Sequence, residues 1–219
     1  MTAWRVITAE RRMLYSPIGL RLVDDFTGLA PVGAVRAFLD RQTAAGWETT
    51  NIKAVRTPSD ALTYPGLGRS ASAAVQPPMH CRIRIEADLY RPDYLLTSDA
   101  IAFDVFPYDD ATPPAVVATL PQNVFLLPTP AYGFADHVRV LRGQVTDAVS
   151  RPVANVEIMF GATERAASDE RGRFALSLRW PALTGAIQID ASDHRTGRTG
   201  QINVNLPADL VGAHVIVIS

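Results

Sequence analysis

Cysteine is almost absent: Cys81 stands alone among 219 residues. One thiol makes no intramolecular disulfide and no cysteine-based zinc cluster, so stability has to come from packing. Lysine is as scarce, with Lys53 the single instance and every other basic residue an arginine. Long apolar runs are missing too. No segment approaches the length of a membrane span, and Met1 to Arg12 holds no stretch suited to the apolar core of a signal peptide. The expectation is a chain made and kept in the cytoplasm, within a particle assembled there. Excess charge is lacking as well: 22 acidic residues against 21 basic ones leave a net charge of -1. No overall field then draws the protein to nucleic acid or inserts it into a membrane.

What remains is ordinary globular composition, 47% hydrophobic and 20% charged, with room for one large domain or two smaller ones. Sixteen prolines and fourteen glycines cut the chain into pieces mostly too short for a helix of three turns. Several pieces alternate. Arg82-Ile83-Arg84-Ile85-Glu86-Ala87 puts apolar residues on one face and charges on the other, as do Ala186 to Ala191 and Gln201 to Leu206. Thr8 to Leu14 and Val35 to Ala44 carry helix formers, but the second begins with alternation and is expected as a strand from Val32 to about Leu39. The proline-rich segment from Pro107 to Pro130 ends in Val124-Phe125-Leu126-Leu127, expected as the last strand of the first half.

The two halves resemble each other. Leu20 to Val35 and Leu141 to Val156 each run an apolar strand to an Asp, turn, and restart at Pro-Val. The order continues: Thr57-Pro58-Ser59-Asp60 matches Ser168 to Gly172, Ile83 to Pro92 matches Ile187 to Thr196, and Phe103 and Val105 match Ile202 and Val204. Val124 to Leu127 and His214 to Ile218 close the two series. A collinear series of this kind predicts an all-β fold of two tandem antiparallel β-sandwich domains, Ig-like or prealbumin-like. Residues 1–17 would form an N-terminal arm, 18–136 a loop-elaborated sandwich and 137–219 a compact one.

On Gly143-Gln144-Val145-Thr146-Asp147, Arg151 to Ile158 and Ser168 to Leu176, the C-terminal third resembles the carboxypeptidase regulatory-like domain, a sandwich of the transthyretin type. The resemblance implies a fold and hardly a function. Asp147 and Asp169 read as acceptors for turn amides and Gly172 as a residue of positive φ. Two activities hosted by similar sandwiches do not carry over. Hydroxyisourate hydrolases end in Tyr-Arg-Gly-Ser, where this chain has Val215-Ile216-Val217-Ile218-Ser219, and the close His-x-His of intradiol dioxygenases is missing.

No catalytic, cofactor or metal set emerges. His80 and Cys81 are neighbours in a strand and point to opposite faces, which prevents a thiolate-base pair. His137, His194 and His214 lack ligand spacing, and Asp99, Asp104, Asp109 and Asp110 lack the pattern of a calcium loop. Asp24-Asp25 reads as turn chemistry. Partner-binding candidates are the loop Tyr64-Pro65-Gly66-Leu67-Gly68-Arg69, with Tyr64 and Arg69, together with Tyr90, Tyr94 and Tyr108. For the loop, a tight glycine turn packed on its own module is the competing reading. Trp4 and Tyr15 would anchor the arm on a neighbour, or cover the base of the first sandwich. The expected role is a non-enzymatic structural or adaptor subunit whose partners are other subunits of an assembly, further copies of itself among them. At fold level the chain is similar to accessory components of phage-tail-like contractile injection systems. A glycan- or peptide-binding module stacking ligands on Tyr64, Tyr90 and Tyr94 is the alternative.

Overall fold

A computed structural model describes residues 13–180 and 182–219. Trp4, and the helix start considered at Thr8, lie outside the described residues. The first half runs β1 (Gly19–Asp24), β2 (Val35–Thr43), β3 (Gly46–Thr49), β4 (Val55–Arg56), β5 (Ala61–Thr63), β6 (Met79–Ala87), β7 (Tyr90–Pro92), β8 (Ile101–Val105) and β9 (Gln122–Pro128). The second half runs β10 (Arg139–Asp147), β11 (Glu157–Phe160), β12 (Glu164–Ala167), β13 (Arg173–Leu178), β14 (Gly185–Asp193), β15 (Arg198–Leu206) and β16 (Ala213–Ile218). The fold is all-β, and no helix among the described residues is long and apolar enough to cross a membrane.

The strands form four sheets, ordered β4-β5-β1-β9-β7 and β3-β2-β6-β8 in the first half, β13-β10-β16 and β12-β11-β14-β15 in the second. Once β4 and β7 are set aside as edge additions, the two halves have the same strand order. The matched sequence segments fall on equivalent strands: β1 with β10, β6 with β14, β8 with β15 and β9 with β16. The sheets are not purely antiparallel as expected. The last strand of each half lies parallel to the first, β9 on β1 and β16 on β10. Parallel pairing needs a long crossover, and nearly the whole half lies between the two strands.

Local expectations were met in part. β2 starts three residues later than anticipated and runs on to Thr43. Gly33, at φ +80°, breaks the extended run first, and the Val32 N–H donates to the Tyr90 hydroxyl instead of to a sheet. Asp147 accepts from the Val149 and Arg151 amides, Asp169 accepts from those of Arg171 and Arg173, and Gly172 sits at φ +71°.

Period-two alternation supplies each core. Leu20, Leu22, Leu39, Ile83, Ile85, Val105, Val124 and Leu126 meet in one buried cluster drawn from both sheets of the first half. Leu141, Ile158, Phe174, Leu176, Ile189, Val204 and Ile216 do so in the second. Each such side chain contributes about 1.5–3 kcal/mol of burial. At one corner of the second half the two sheets touch, where Thr199 and Ser219 exchange backbone hydrogen bonds of 3.2 and 3.1 Å. Gly200 makes this approach possible, since a Cβ there would lie 2.3 Å from the Val217 carbonyl oxygen.

Strand β9 breaks the alternation because both of its faces are covered. Val124 and Leu126 enter the first core, while Leu127 packs with Leu96 and with Ala167 of β12 in a small cluster between the halves. Arginines surround that cluster. The Arg165 guanidinium donates to Asp25 Oδ1 at 3.0 and 2.7 Å and lies 5.2 Å from the centre of the Phe125 ring. Arg179 donates to the Asp25 carbonyl at 2.8 Å, Arg91 to Glu170 and Asn155, and Arg195 to Asp99 and the carbonyls of Leu95 and Ser98.

Two outcomes follow from these contacts. Gly200→Ala lowers stability by about 2 kcal/mol or more, read as a lower urea midpoint; an unchanged midpoint would show that the corner opens without cost. The wild-type chain unfolds in one transition, seen alike by fluorine-labelled Trp47 and Trp180, whereas the combined Arg91→Ala, Arg165→Ala and Arg195→Ala variant unfolds in two.

Candidate functional site

Outward residues of β6 follow from its inward ones. With Cys81, Ile83 and Ile85 in the core, His80, Arg82, Arg84 and Glu86 stand on the other face of the sheet. The antiparallel register sets Arg82 opposite Asp40 of β2 and Arg84 opposite Phe38. It also sets Asp40 opposite Thr49 and Gln42 opposite Trp47 of β3. A Trp, a Phe, two arginines and one aspartate are thus brought together from three strands.

Asp40 is the centre. Although it stands on the outer face, its side chain is only 2% exposed, because both guanidiniums close over it. Oδ2 accepts from Arg82 Nε at 2.9 Å and Arg84 Nε at 2.8 Å. Oδ1 accepts from the Thr49 hydroxyl at 2.8 Å and Arg84 Nη2 at 3.2 Å. These bonds, that from Arg84 first, hold the Asp40 carboxyl down to about 2 against the burial that opposes them. The Arg82 guanidinium lies 4.6 Å from the Trp47 ring centre and that of Arg84 5.5 Å from Phe38. Trp47 itself is 40% exposed.

This face offers fixed charges and hydrogen-bond donors. The guanidiniums are permanently charged and Asp40 stays ionised near neutral pH, so none of the three shuttles a proton there. Among the described residues, Arg82 Nη1 and Nη2 have no hydrogen-bond partner, leaving a donor fork that is stacked on Trp47 and anchored through Nε.

The residues singled out by sequence lie elsewhere, and several need correction as contact surfaces. Tyr64, Tyr90 and Tyr108 are 1%, 2% and 3% exposed, so their rings offer nothing for a ligand or partner to stack on. Burial pushes the Tyr64 hydroxyl up to about 12. Tyr90 and Tyr132 both donate to the buried Asp24 carboxylate, at 3.3 and 3.0 Å, so Asp24 does more than form a turn. Tyr94 is half-buried against the core, and its hydroxyl accepts from the Ile85 amide at 2.7 Å. Tyr15 meets Tyr108 edge to face at 5.5 Å, covering its own half. Arg69 pairs with Asp110. The loop from Tyr64 is a tight turn, with Gly66 at φ +80° and Gly68 at φ +92° and the latter pressed on Val105 and Phe106. It lines an open cavity of about 440 Å³ beside Leu39, Ile52, Met79 and Cys81.

The remaining candidates are dispersed. Cys81 is buried, which pushes its thiol up, while His80 faces outward 2.5 Å from Asp104. His194 pairs with Glu157, Asp99 with Arg195, and Asp109 accepts from the Ala111 and Thr112 amides. His214 Nε2–H donates to the Asp209 carbonyl at 2.7 Å. Among the described residues no group of three or more His, Cys, Asp or Glu could hold a metal ion. Sequence reasoning passed over Trp47, Asp40, Arg82 and Arg84 as a unit. The available signal was two arginines at i and i+2 on an outward face with Glu86 as the one acid beside them in sequence, which favours a further acidic partner across the strands.

The depressed Asp40 pKa gives a pH signature. The folded value lies below the unfolded one, so the stabilisation is complete above about pH 4 and disappears as pH falls through about 2. Asp40→Asn is therefore less stable than wild type at neutral pH by about 2 kcal/mol, and urea titrations show the gap closing between about pH 4 and pH 2.

No family model matches the chain, and no curated protein does. A solved structure to which the chain is similar is that of the Bacillus anthracis TIE protein, with 9% sequence identity and a TM-score of 0.28. The comparison covers 94% of this chain and 33% of that one, so the chain spans about a third of its length.

Proposed function

We propose that this chain is a non-enzymatic structural or adaptor subunit of a protein assembly, built as two β-sandwich modules, residues 18–136 and 137–219, of the Ig-like or prealbumin-like kind. The sandwich reading is supported by the way each buried cluster draws side chains from two sheets. The observation that carries the functional reading is the Trp47, Arg82 and Arg84 face. Tryptophan and arginine dominate the energetic centres of protein interfaces, and here an exposed Trp47 stands against half-buried arginines already ordered by Asp40. The arginine seam supports the same role, since a subunit that spaces its neighbours benefits from halves that do not swing. A phage-tail-like contractile injection system is a setting that fits by fold-level analogy alone. Stacking of a glycan on Tyr64 and Tyr90 is not favoured, both rings being buried.

The tagged chain, recovered from its own host under native conditions, is expected in a particle of defined composition and far above the mass of a monomer. Recovery of a monomer with no stoichiometric protein companion overturns the reading.

A further inference from the structure

We propose that the outer face of β3, β2 and β6 is a docking site for an acidic segment of a partner protein, with Arg82 receiving a partner carboxylate beside Trp47. The inference rests on the adaptor reading and names the chemistry of its partner.

Three features lead to a carboxylate. Arg82 is fixed at Nε by Asp40 and stacked at 4.6 Å on Trp47, so its two free terminal nitrogens form an ordered fork before any partner arrives. Planar, bidentate acceptors match that fork best. Its side chain is 25% exposed, so most of its water is already displaced and little ordering entropy remains to be lost. Charge is distributed to match: Asp40 is the one ion-pair partner of Arg82 among the described residues and is shared with Arg84, which has Glu86 as a second partner.

The surroundings select a protein acid over a polyphosphate chain. His80 faces Asp104 on one side of the cluster, and Glu86 lies 3.6 Å from Arg84 and opposite Arg36 on the other. The guanidiniums of Arg82 and Arg84 are therefore flanked by Asp104 and Glu86, with no run of positive charge across the face. A nucleic acid would have to lay successive phosphates across those carboxylates. A single aspartate or glutamate, with an apolar neighbour resting on the exposed Trp47 ring, needs to reach only Arg82 and does not run along those carboxylates.

The test titrates the full chain with an acetylated and amidated peptide carrying one glutamate beside a leucine, with the same peptide carrying glutamine, and with inorganic phosphate. The readout is the NMR signals of the Arg82 Nε–H and the Trp47 indole. The glutamate peptide is expected to shift both signals and to bind about 10-fold more weakly to Arg82→Gln and Trp47→Ala. Arg82→Lys, which keeps the charge without the fork, falls between. Urea unfolding checks that each variant is folded, and Arg84 keeps Asp40 paired in the Arg82 variants. Equal response to the glutamine peptide, no response at all, or tighter binding of phosphate overturns the proposal. In the host, loss of folded Arg82→Gln from the particle supports it. Retention of that variant in the particle overturns the docking role and leaves the adaptor reading standing, whereas a wild-type chain found in no particle removes the adaptor reading itself.

Discussion

From Val124 to Pro128 strand β9 is covered on both faces, and the arrangement of the molecule depends on that coverage. Within its sheet it is paired with β1 and β7, one face fills the first core, and the other carries Leu127 into contact with Ala167 of the second half. A stretch with neither face left to solvent does not alternate in polarity, which accounts for the unbroken Val124 to Leu127 run that follows the exposed Gln122 and Asn123. It also differentiates the first half. One of its sheets is committed to the second half, and the other, β3-β2-β6-β8, is left to present its outer face to solvent.

The scarcity of lysine takes on a meaning beside this arrangement. Arg91, Arg142, Arg165, Arg179 and Arg195 all donate across the chain to carbonyl, amide or carboxylate oxygens, several of them to two acceptors at once. A flexible ammonium satisfies such forked demands poorly, whereas a planar guanidinium does so while stacking on Phe125 or Phe26. The same device is repeated on the outer face, where Arg82 and Arg84 hold Asp40 and lie against Trp47 and Phe38. One side-chain chemistry fastens the halves inside and orders the Trp47 and Phe38 face outside.

Much of the strand pattern was legible because alternation is local: Arg82 to Ala87 announces its own faces, and Asp169 to Gly172 its own turn. The repeat was legible because equivalent strands keep their order along the chain. What could not be read was anything that depends on pairing. Nothing near Asp40 in sequence points to Arg82 and Arg84, more than forty positions on. The parallel return of β9 and β16 was equally hidden. Tyr64 and Tyr90 misled for a related reason. Tyrosine suits an interface and a core alike, and the sequence does not say which side of a strand will be roofed over.

The parallel pairing of first and last strands also determines how each half bears load. Where β10 enters and β16 leaves, the chain ends point in opposite directions along neighbouring strands, so tension applied through the backbone slides one strand past the other. Six registered positions, Arg142 with Ala213 through Asp147 with Ile218, resist that motion together instead of peeling apart one after another. Each half is thus a shear clamp, stiff along its strands in a way that its thermodynamic stability alone would not disclose.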